Sequence, residues 1–278
     1  MTGAGRIAGP ALRIVQVGFA TTVQDHGRAG LAHLGVPTAG PVDRRAHDLM
    51  NRLVGNPSDA ATIETMGALI VEALRPVVVA RSTDASRHTL ASGDRFRIDA
   101  PSGSVWAYLS VRGGFDVEPV LGSRSIDTLG HLGPAPLADD TMLDVGPDPG
   151  TDLSAEHAPE RDVADRAVRI WDGPQHDWFV GGRQLLIERP WRVTNELSRV
   201  GVRLETGDFR RSTRSEPQMS SIGLVEGAIQ ITSAGEPIVM LANHPTTGGY
   251  PVIAVVDPDD LSSLAQRRPG ATVRFRRA

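Results

Sequence analysis

The sequence contains neither cysteine nor lysine, and its aromatics amount to 4% of 278 residues, with only two tyrosines. Without thiols there is no cysteine nucleophile, no Cys-ligated zinc, no disulfide and no redox pair. Without lysine there is no Schiff-base amine, no biotinyl-lysine and no Walker A phosphate loop, so any biotin or P-loop must belong to a partner. All 29 basic residues are therefore arginine, set among 33 acidic ones for a net charge of −4. Apart from short pairs such as Arg210-Arg211 and Arg276-Arg277 they are dispersed, which provides no basic stripe for nucleic acid. No apolar run approaches a membrane span, and Met1–Pro10 lacks the apolar core of a secretory leader. These absences lead us to expect a cytoplasmic protein with no nucleic-acid or membrane partner.

Turn formers are what the chain has in excess. Its 30 glycines and 20 prolines make 50 of 278 positions, well above the ordinary share of about 12%. That composition favours many short strands, and short apolar segments recur along the chain, among them Leu12–Gly18, Leu69–Leu74, Trp106–Val111, Leu185–Val193, Ala228–Ile231 and Pro251–Val256. Two segments have helical spacing and recognisable ends. Asp43–Asn56 begins with a capping Asp and ends at Gly55 and Pro57; Asp257–Gln266 has Asp257 as its cap and Pro258 at the first helical position. Pro147–Arg166 is acidic, rich in Pro and Ala, and nearly free of large apolar residues, which is the composition of a linker. The expected organisation is a β-rich half over 11–148, a linker over 149–166 and a β-rich half over 167–278, each half with one short helix.

Polar chemistry gathers in the Gly-rich turns. In Thr21–Gly30, TTVQDHGRAG, the side chains of Gln24, Asp25 and Arg28 crowd a turn after a strand. An Asp and Arg pair can orient a planar carboxamide or carboxylate, and equally can hold a structural turn. Leu34–Asp43, LGVPTAGPVD, feeds the first helix, whose N-terminus is either a capped end or an anion site. Leu109–Ser125, LSVRGGFDVEPVLGSRS, ends in a turn whose Ser123 and Arg124 suit an anion but lack P-loop spacing. Leu241–Pro251, LANHPTTGGYP, reads as a hairpin turn in which Thr247, Gly248 and Gly249 allow close approach of a ligand and the Tyr250 hydroxyl can donate a proton. The eight histidines have no metal-ligand spacing and no G-x-S-x-G elbow is present, so no metal site and no serine hydrolase are expected.

The order of these motifs, together with NRLVGN at Asn51–Asn56, IET at Ile63–Thr65, GPQ at Gly173–Gln175, SRVGVRL at Ser198–Leu204, GAIQ at Gly227–Gln230 and AQRRPG at Ala265–Gly270, resembles the KipA/PxpC family. This is the carboxyltransferase-type family also called allophanate hydrolase subunit 2, and the likeness runs over nearly the whole chain. It implies a mainly β, cyclophilin-like β-barrel architecture and a hetero-oligomer with a KipI/PxpB-like subunit. It also implies ATP-dependent 5-oxoprolinase activity with a PxpA-like subunit, opening the lactam of 5-oxo-L-proline to L-glutamate. ATP, with Mg²⁺, would bind at a composite site.

Fused relatives imply the alternative of a biotin-dependent urea or amide carboxylase with biotin on a separate carrier. The family name also suggests a non-catalytic KipI-binding regulator. For a small amide or lactam substrate, the residues expected to act are Asp25, Arg28 and Tyr250 in catalysis, with Gln24, Ser123, Arg124, Thr247, Gly248 and Gly249 in binding. Two positions depart from the family pattern: Ile222 stands where relatives commonly carry Glu, and Asn243 where many carry Asp. Each change removes a carboxylate.

Overall fold

The computed structural model describes residues 9–153, 155–159, 166–215 and 219–278. It divides into two compact units, the first made of Met1–Arg28 and Ala39–Asp162, the second of Ala29–Thr38 and Val163–Ala278. The excursion of Ala29–Thr38 into the second unit is absent from a division into contiguous halves. The described residues are mainly β, as expected, with three short α-helices and one 3-10 turn, Ala32–Leu34.

The first unit contains β1 (Leu12–Gln16), β2 (Phe19–Gln24), α1 (Arg44–Leu53), β3 (Thr62–Met66), β4 (Leu69–Ala73), β5 (Val77–Arg81), β6 (Ser86–Leu90), β7 (Arg95–Ile98), β8 (Trp106–Val111) and β9 (Met142–Leu143). They form a four-stranded sheet in the order β7-β4-β1-β9 and a five-stranded sheet in the order β2-β3-β8-β5-β6. Both sheets bury their facing side chains in one core, including Leu12, Ile14, Ile63, Val71, Val79, Ile98 and Leu109. The sequence WAYLSV of β8 is buried at every position, which suits a strand paired on both edges and covered on both faces. Two strands were not legible in the sequence. β3 and β6 carry Thr, Glu, Ser, Arg and His and so lack an apolar strand pattern; Glu64 of β3 finds buried partners distant in sequence, while Ser86 of β6 bonds locally to Asp84 and His88. Likewise Thr21–Gln24 belongs to β2, so the turn of TTVQDHGRAG starts only at Asp25.

The helix α1 has the ends its sequence indicates. Asp43 caps it by accepting from the Ala46 N–H at 3.0 Å, and Gly55 follows at φ +72°. Its start is held by a fully buried polar network. Tyr108 of β8 donates to Glu64 of β3 at 2.6 Å, the same glutamate accepts from the Val42 N–H at 2.8 Å, and the Tyr108 oxygen accepts from the Asp43 N–H at 2.8 Å. The end of α1 is latched by Asn51 and Asn56. Asn51 donates to the Ala60 carbonyl at 2.7 Å and accepts from Ser110, while Asn56 donates to the Val111 carbonyl at 2.8 Å and accepts from the Gly113 N–H. NRLVGN is thus a fastening of helix to sheet.

The stretch expected to be a linker is, where described, laced onto the first unit. Arg112 makes a bidentate pair with Asp148 at 2.9 and 2.6 Å and donates to the Thr151 carbonyl at 2.8 Å. Further on, the Arg87 N–H donates to the Glu156 carbonyl at 2.7 Å and Ser86 bridges to His157, which covers the open edge of β6. An acidic, Pro-rich composition describes solubility; it says nothing of backbone hydrogen bonds. Residues 154 and 160–165 of this stretch lie outside the described residues.

The second unit holds β10 (Val168–Asp172), α2 (Gly182–Glu188), β11 (Trp191–Leu197), β12 (Gly201–Leu204), β13 (Ile222–Gly223), β14 (Ala228–Ile231), β15 (Pro237–Met240), β16 (Thr247–Gly248), β17 (Val252–Val256), α3 (Pro258–Ala265), β18 (Thr272–Val273) and β19 (Phe275–Arg277). Eight of its strands make a nearly closed barrel in the order β18-β11-β12-β15-β14-β17-β10-β19, antiparallel except for the β10 and β19 pair. The helix α2 corrects two expectations: this half has two helices rather than one, and Leu185–Val193 is not a single strand. Leu186 faces inward from α2, Pro190 separates the elements, and Trp191 opens β11 with its indole N–H donating to the Leu186 carbonyl at 3.0 Å. A continuous apolar run cannot by itself distinguish a buried helical turn from a strand.

The Tyr108 hydroxyl joins β3, β8 and the start of α1 in a dry interior. Tyr108→Phe is expected to destabilise the protein by about 2 kcal/mol in urea unfolding, because buried donors and acceptors lose a partner. A loss below about 0.5 kcal/mol, the usual range for surface substitutions, would show that the network does not anchor the helix.

Candidate functional site

In the first unit the structure brings together four of the residues expected from sequence, Asp25, Arg28, Ser123 and Arg124. Leu121 and Gly122 both have positive φ, 51° and 80°, and Val120 and Ser123 exchange backbone hydrogen bonds around them, which makes a type I′ turn. The next three residues are seized by Asp25. Its Oδ1 accepts from Ser123 Oγ at 2.5 Å, Ser125 Oγ at 2.8 Å and the Gly27 N–H at 2.9 Å, and its Oδ2 accepts from the Arg124 N–H at 2.5 Å. Burial alone would raise the Asp25 pKa, but the hydrogen bonds from Ser123, Arg124, Gly27 and Ser125 outweigh it and hold the carboxyl below its ordinary value.

Arg28 closes the same turn from the other side. It is 3% exposed and donates to the carbonyls of Ser125 at 2.5 Å, Val120 at 3.3 Å and Ser123 at 3.5 Å. Burial lowers its pKa against the pull of Asp25 and Asp127, and an arginine so placed stays a cation. Asp25 and Arg28 do not pair with each other as a fork; each holds the 120–125 turn. Arg28 Nη1 has no partner among the described residues. The Arg124 backbone is pinned by Asp25, and its half-buried side chain likewise carries an Nε with no partner among the described residues. Gln24 is fully buried, donates to Thr22 Oγ1 at 3.0 Å and leaves its Oε1 without a partner among the described residues.

Thr247, Gly248, Gly249 and Tyr250 lie in the second unit. Rather than a hairpin turn, their segment forms the short strand β16, which pairs with β13 so that Gly248 stands opposite Ile222. Gly248 passes close to two side chains: a Cβ there would lie 2.7 Å from Gln230 Nε2 and 2.8 Å from Leu224 Cδ1, so both side chains would have to shift. Gln230 donates to the Tyr250 carbonyl at 2.9 Å, and Gln175 accepts from the Val252 N–H at 3.0 Å. The GAIQ and GPQ motifs therefore fasten this loop by their glutamines and leave the Tyr250 side chain 45% exposed. Sequence reasoning noted both motifs without assigning those glutamines.

The two departures from the family pattern have different surroundings. Ile222 packs against the cluster of Leu224, Ala228, Met240 and Val252, so an apolar side chain fits where it stands. Asn243 is fully buried, with its N–H donating to the carbonyl of Arg199, itself buried. A second feature not singled out from sequence is a cleft of about 370 Å³ beside α2, bordered by His176, Asp177, Arg183, Gln184 and Arg214. Its arginines are already paired, Arg214 with Asp177 at 2.9 Å and Arg183 with Asp172 at 2.6 Å. No helix among the described residues is long and apolar enough to cross a membrane.

This arrangement, a mainly β chain with a carboxylate-gripped GSRS turn and a glutamine-fastened TTGGYP loop, matches one family over most of its length. Residues 34–277 match the carboxyltransferase domain, subdomain A and B, and the chain belongs to that family. Within it, the chain is 33% identical to a 5-oxoprolinase subunit of Escherichia coli strain K12, over 95% of this chain and 90% of that protein. Among solved structures it resembles TTHA0988, with a TM-score of 0.86 and 31% identity over 96% of this chain, which spans 56% of that one. It also resembles the urea amidolyase of Kluyveromyces lactis, with a TM-score of 0.84 and 26% identity, where the match covers 97% of this chain and 19% of the larger enzyme.

The lowered Asp25 pKa gives a signed expectation. A carboxylate with a folded-state value below its unfolded one contributes stability above about pH 4 that is lost as pH falls through the folded value. Asp25→Asn should therefore cost about 2 kcal/mol at neutral pH and flatten the acid limb of the stability profile. Unfolding midpoints measured from pH 7 down to pH 2 that run parallel to wild type would contradict this account.

Proposed function

We propose that the protein is the PxpC-type member of an ATP-dependent 5-oxoprolinase that opens the lactam of 5-oxo-L-proline to L-glutamate in a hetero-oligomer. One observation carries the reading: the nearly end-to-end likeness to a 5-oxoprolinase subunit. The partners are a KipI/PxpB-like and a PxpA-like subunit. Activity belongs to the assembly, since this chain has no lysine and no phosphate loop with which to hold ATP alone.

Lactam opening requires the amide carbonyl oxygen to carry negative charge or a phosphoryl group, and ATP with Mg²⁺ supplies the second at a composite site. In the first unit the group we assign to that charge is the half-buried Arg124 guanidinium; the buried Arg28 already donates to three carbonyls through Nε and Nη2, and its Nη1, like Arg124 Nε, has no partner among the described residues. Asp25 and Arg28 act as positioning residues that fix the turn on which Arg124 sits. Gln24 adds a buried amide with acceptor capacity still open, and the loop of Thr247, Gly248, Gly249 and Tyr250 presents a fixed backbone and a phenol for a small polar solute.

The likeness to urea amidolyase supports a second reading, carboxyl transfer to urea or another small amide from biotin on a separate carrier. It is the weaker reading because this chain corresponds to only 19% of that enzyme. Loss of the family carboxylates at Ile222 and Asn243 bears on either chemistry, and a purely KipI-binding regulator is the outcome if both are required.

The test is reconstitution with the two partner subunits, following glutamate and ADP formation from 5-oxo-L-proline. Turnover is expected only with all three subunits and ATP, and Arg124→Ala is expected to lower kcat/KM by at least about tenfold, the scale of one lost charged contact, with an unchanged melting temperature. A complete complex that releases no glutamate overturns the proposal. Carboxylation from carboxybiotin without ATP would replace it with the second reading.

A further inference from the structure

His26, His47 and Asp48 meet in the first unit although His26 and Asp48 are 22 positions apart. His26 lies in the turn beside Asp25, and the other two occupy consecutive positions in α1. His26 Nε2 is 2.8 Å from Asp48 Oδ1, and His47 Nδ1 is 3.1 Å from the same oxygen. The ligand atoms of all three residues lie within 4.8 Å of one another. The two rings are tilted by 45° with centroids 5.3 Å apart.

Donors bound to one ion at about 2.0–2.1 Å sit roughly 2.9–3.4 Å from one another along the edges of an octahedron or tetrahedron. Of the two observed separations from the carboxylate oxygen, 3.1 Å lies in that range and 2.8 Å just below it. Two imidazole nitrogens and one carboxylate oxygen suit a first-row transition ion of the Zn²⁺ type, whereas Mg²⁺ and Ca²⁺ favour all-oxygen sets. His47 is completely buried and its Nε2 has no partner among the described residues, so its burial is offset by Asp48 alone. The side chains of His26 and Asp48 are 29% and 28% exposed, which leaves a path for an ion and room for water on its open side.

We propose that His26 Nε2, His47 Nδ1 and an Asp48 carboxylate oxygen bind one divalent transition-metal ion. The ion would cross-link α1 to the turn that carries Asp25, a link now made by the His26–Asp48 contact and by Arg44 Nη2 donating to the His26 carbonyl at 3.3 Å. It would stiffen the scaffold of the GSRS turn without touching that turn.

The full chain, stripped with a chelator, is titrated with ZnCl₂ by calorimetry and thermal melting, and with CoCl₂ in the visible range. One saturable equivalent of Zn²⁺, a rise in melting temperature, and Co²⁺ bands of mixed nitrogen and oxygen ligation are expected, with no response to equal Mg²⁺. Affinity should fall at least about tenfold in both His26→Ala and Asp48→Asn, as loss of one ligand does, and stay unchanged in His131→Ala, an exposed histidine elsewhere. Zn²⁺ binding that is indifferent to both ligand substitutions overturns the site. So does a wild-type chain that shows no stoichiometric equivalent or no nitrogen-ligated Co²⁺ spectrum, a result that does not depend on the folding of any variant.

Discussion

Four protons point at the two oxygens of Asp25, and together they fix the segment Ser123–Ser125. A carboxylate taken out of water survives as an anion only where hydrogen bonds replace its hydration. Two serine hydroxyls and two backbone N–H groups do so here, and three of the four come from the single turn Ser123–Ser125. The same turn is closed from behind by Arg28 through its carbonyls. The arrangement uses both charges to hold the turn, and one nitrogen of Arg28 and the Nε of Arg124, one residue along, have no partner among the described residues. A motif that looks like an acid and base pair in sequence is in three dimensions the clamp for its neighbour.

The same logic explains why the other motifs are so polar. Asn51, Asn56, Arg112, Gln175 and Gln230 each join segments distant in sequence by hydrogen bonds from side chain to backbone. Short strands with Gly- and Pro-rich connections leave many backbone groups without ladder partners, and amide and guanidinium side chains fill those vacancies. A fold of this kind is held by its turns as much as by its core. The β16 loop illustrates it: Gly248 lets the backbone pass against Gln230, and that glutamine holds the Tyr250 carbonyl.

At one of the two positions where the resemblance leads one to expect a carboxylate, packing accounts for the residue present. Ile222 opposes Gly248 and adds apolar surface to a small cluster, where an ionised side chain would require a partner. Asn243 keeps the size of Asp without its charge, in a fully buried place beside the backbone of Arg199. Both residues lie in the second unit, apart in sequence from the Asp25 clamp.

The sequence by itself determined the class of fold and the ends of α1 and α3, because caps, terminating glycines and a surplus of turn formers are local properties. Family membership was legible too, since the order of motifs survives without any knowledge of distances. The extra helix α2, the polar strands β3 and β6, and the lacing of 148–153 and 155–158 onto the first unit were not, because each depends on what lies opposite in space. Residue roles were the least legible. Asp25, Arg28 and Arg124 look equivalent as charged residues in loops, and His26 lies far along the chain from Asp48. Only the tertiary structure decided which charges are consumed by backbone groups, which stay open, and which distant side chains share one oxygen, because hydrogen bonding and burial are fixed by three-dimensional proximity.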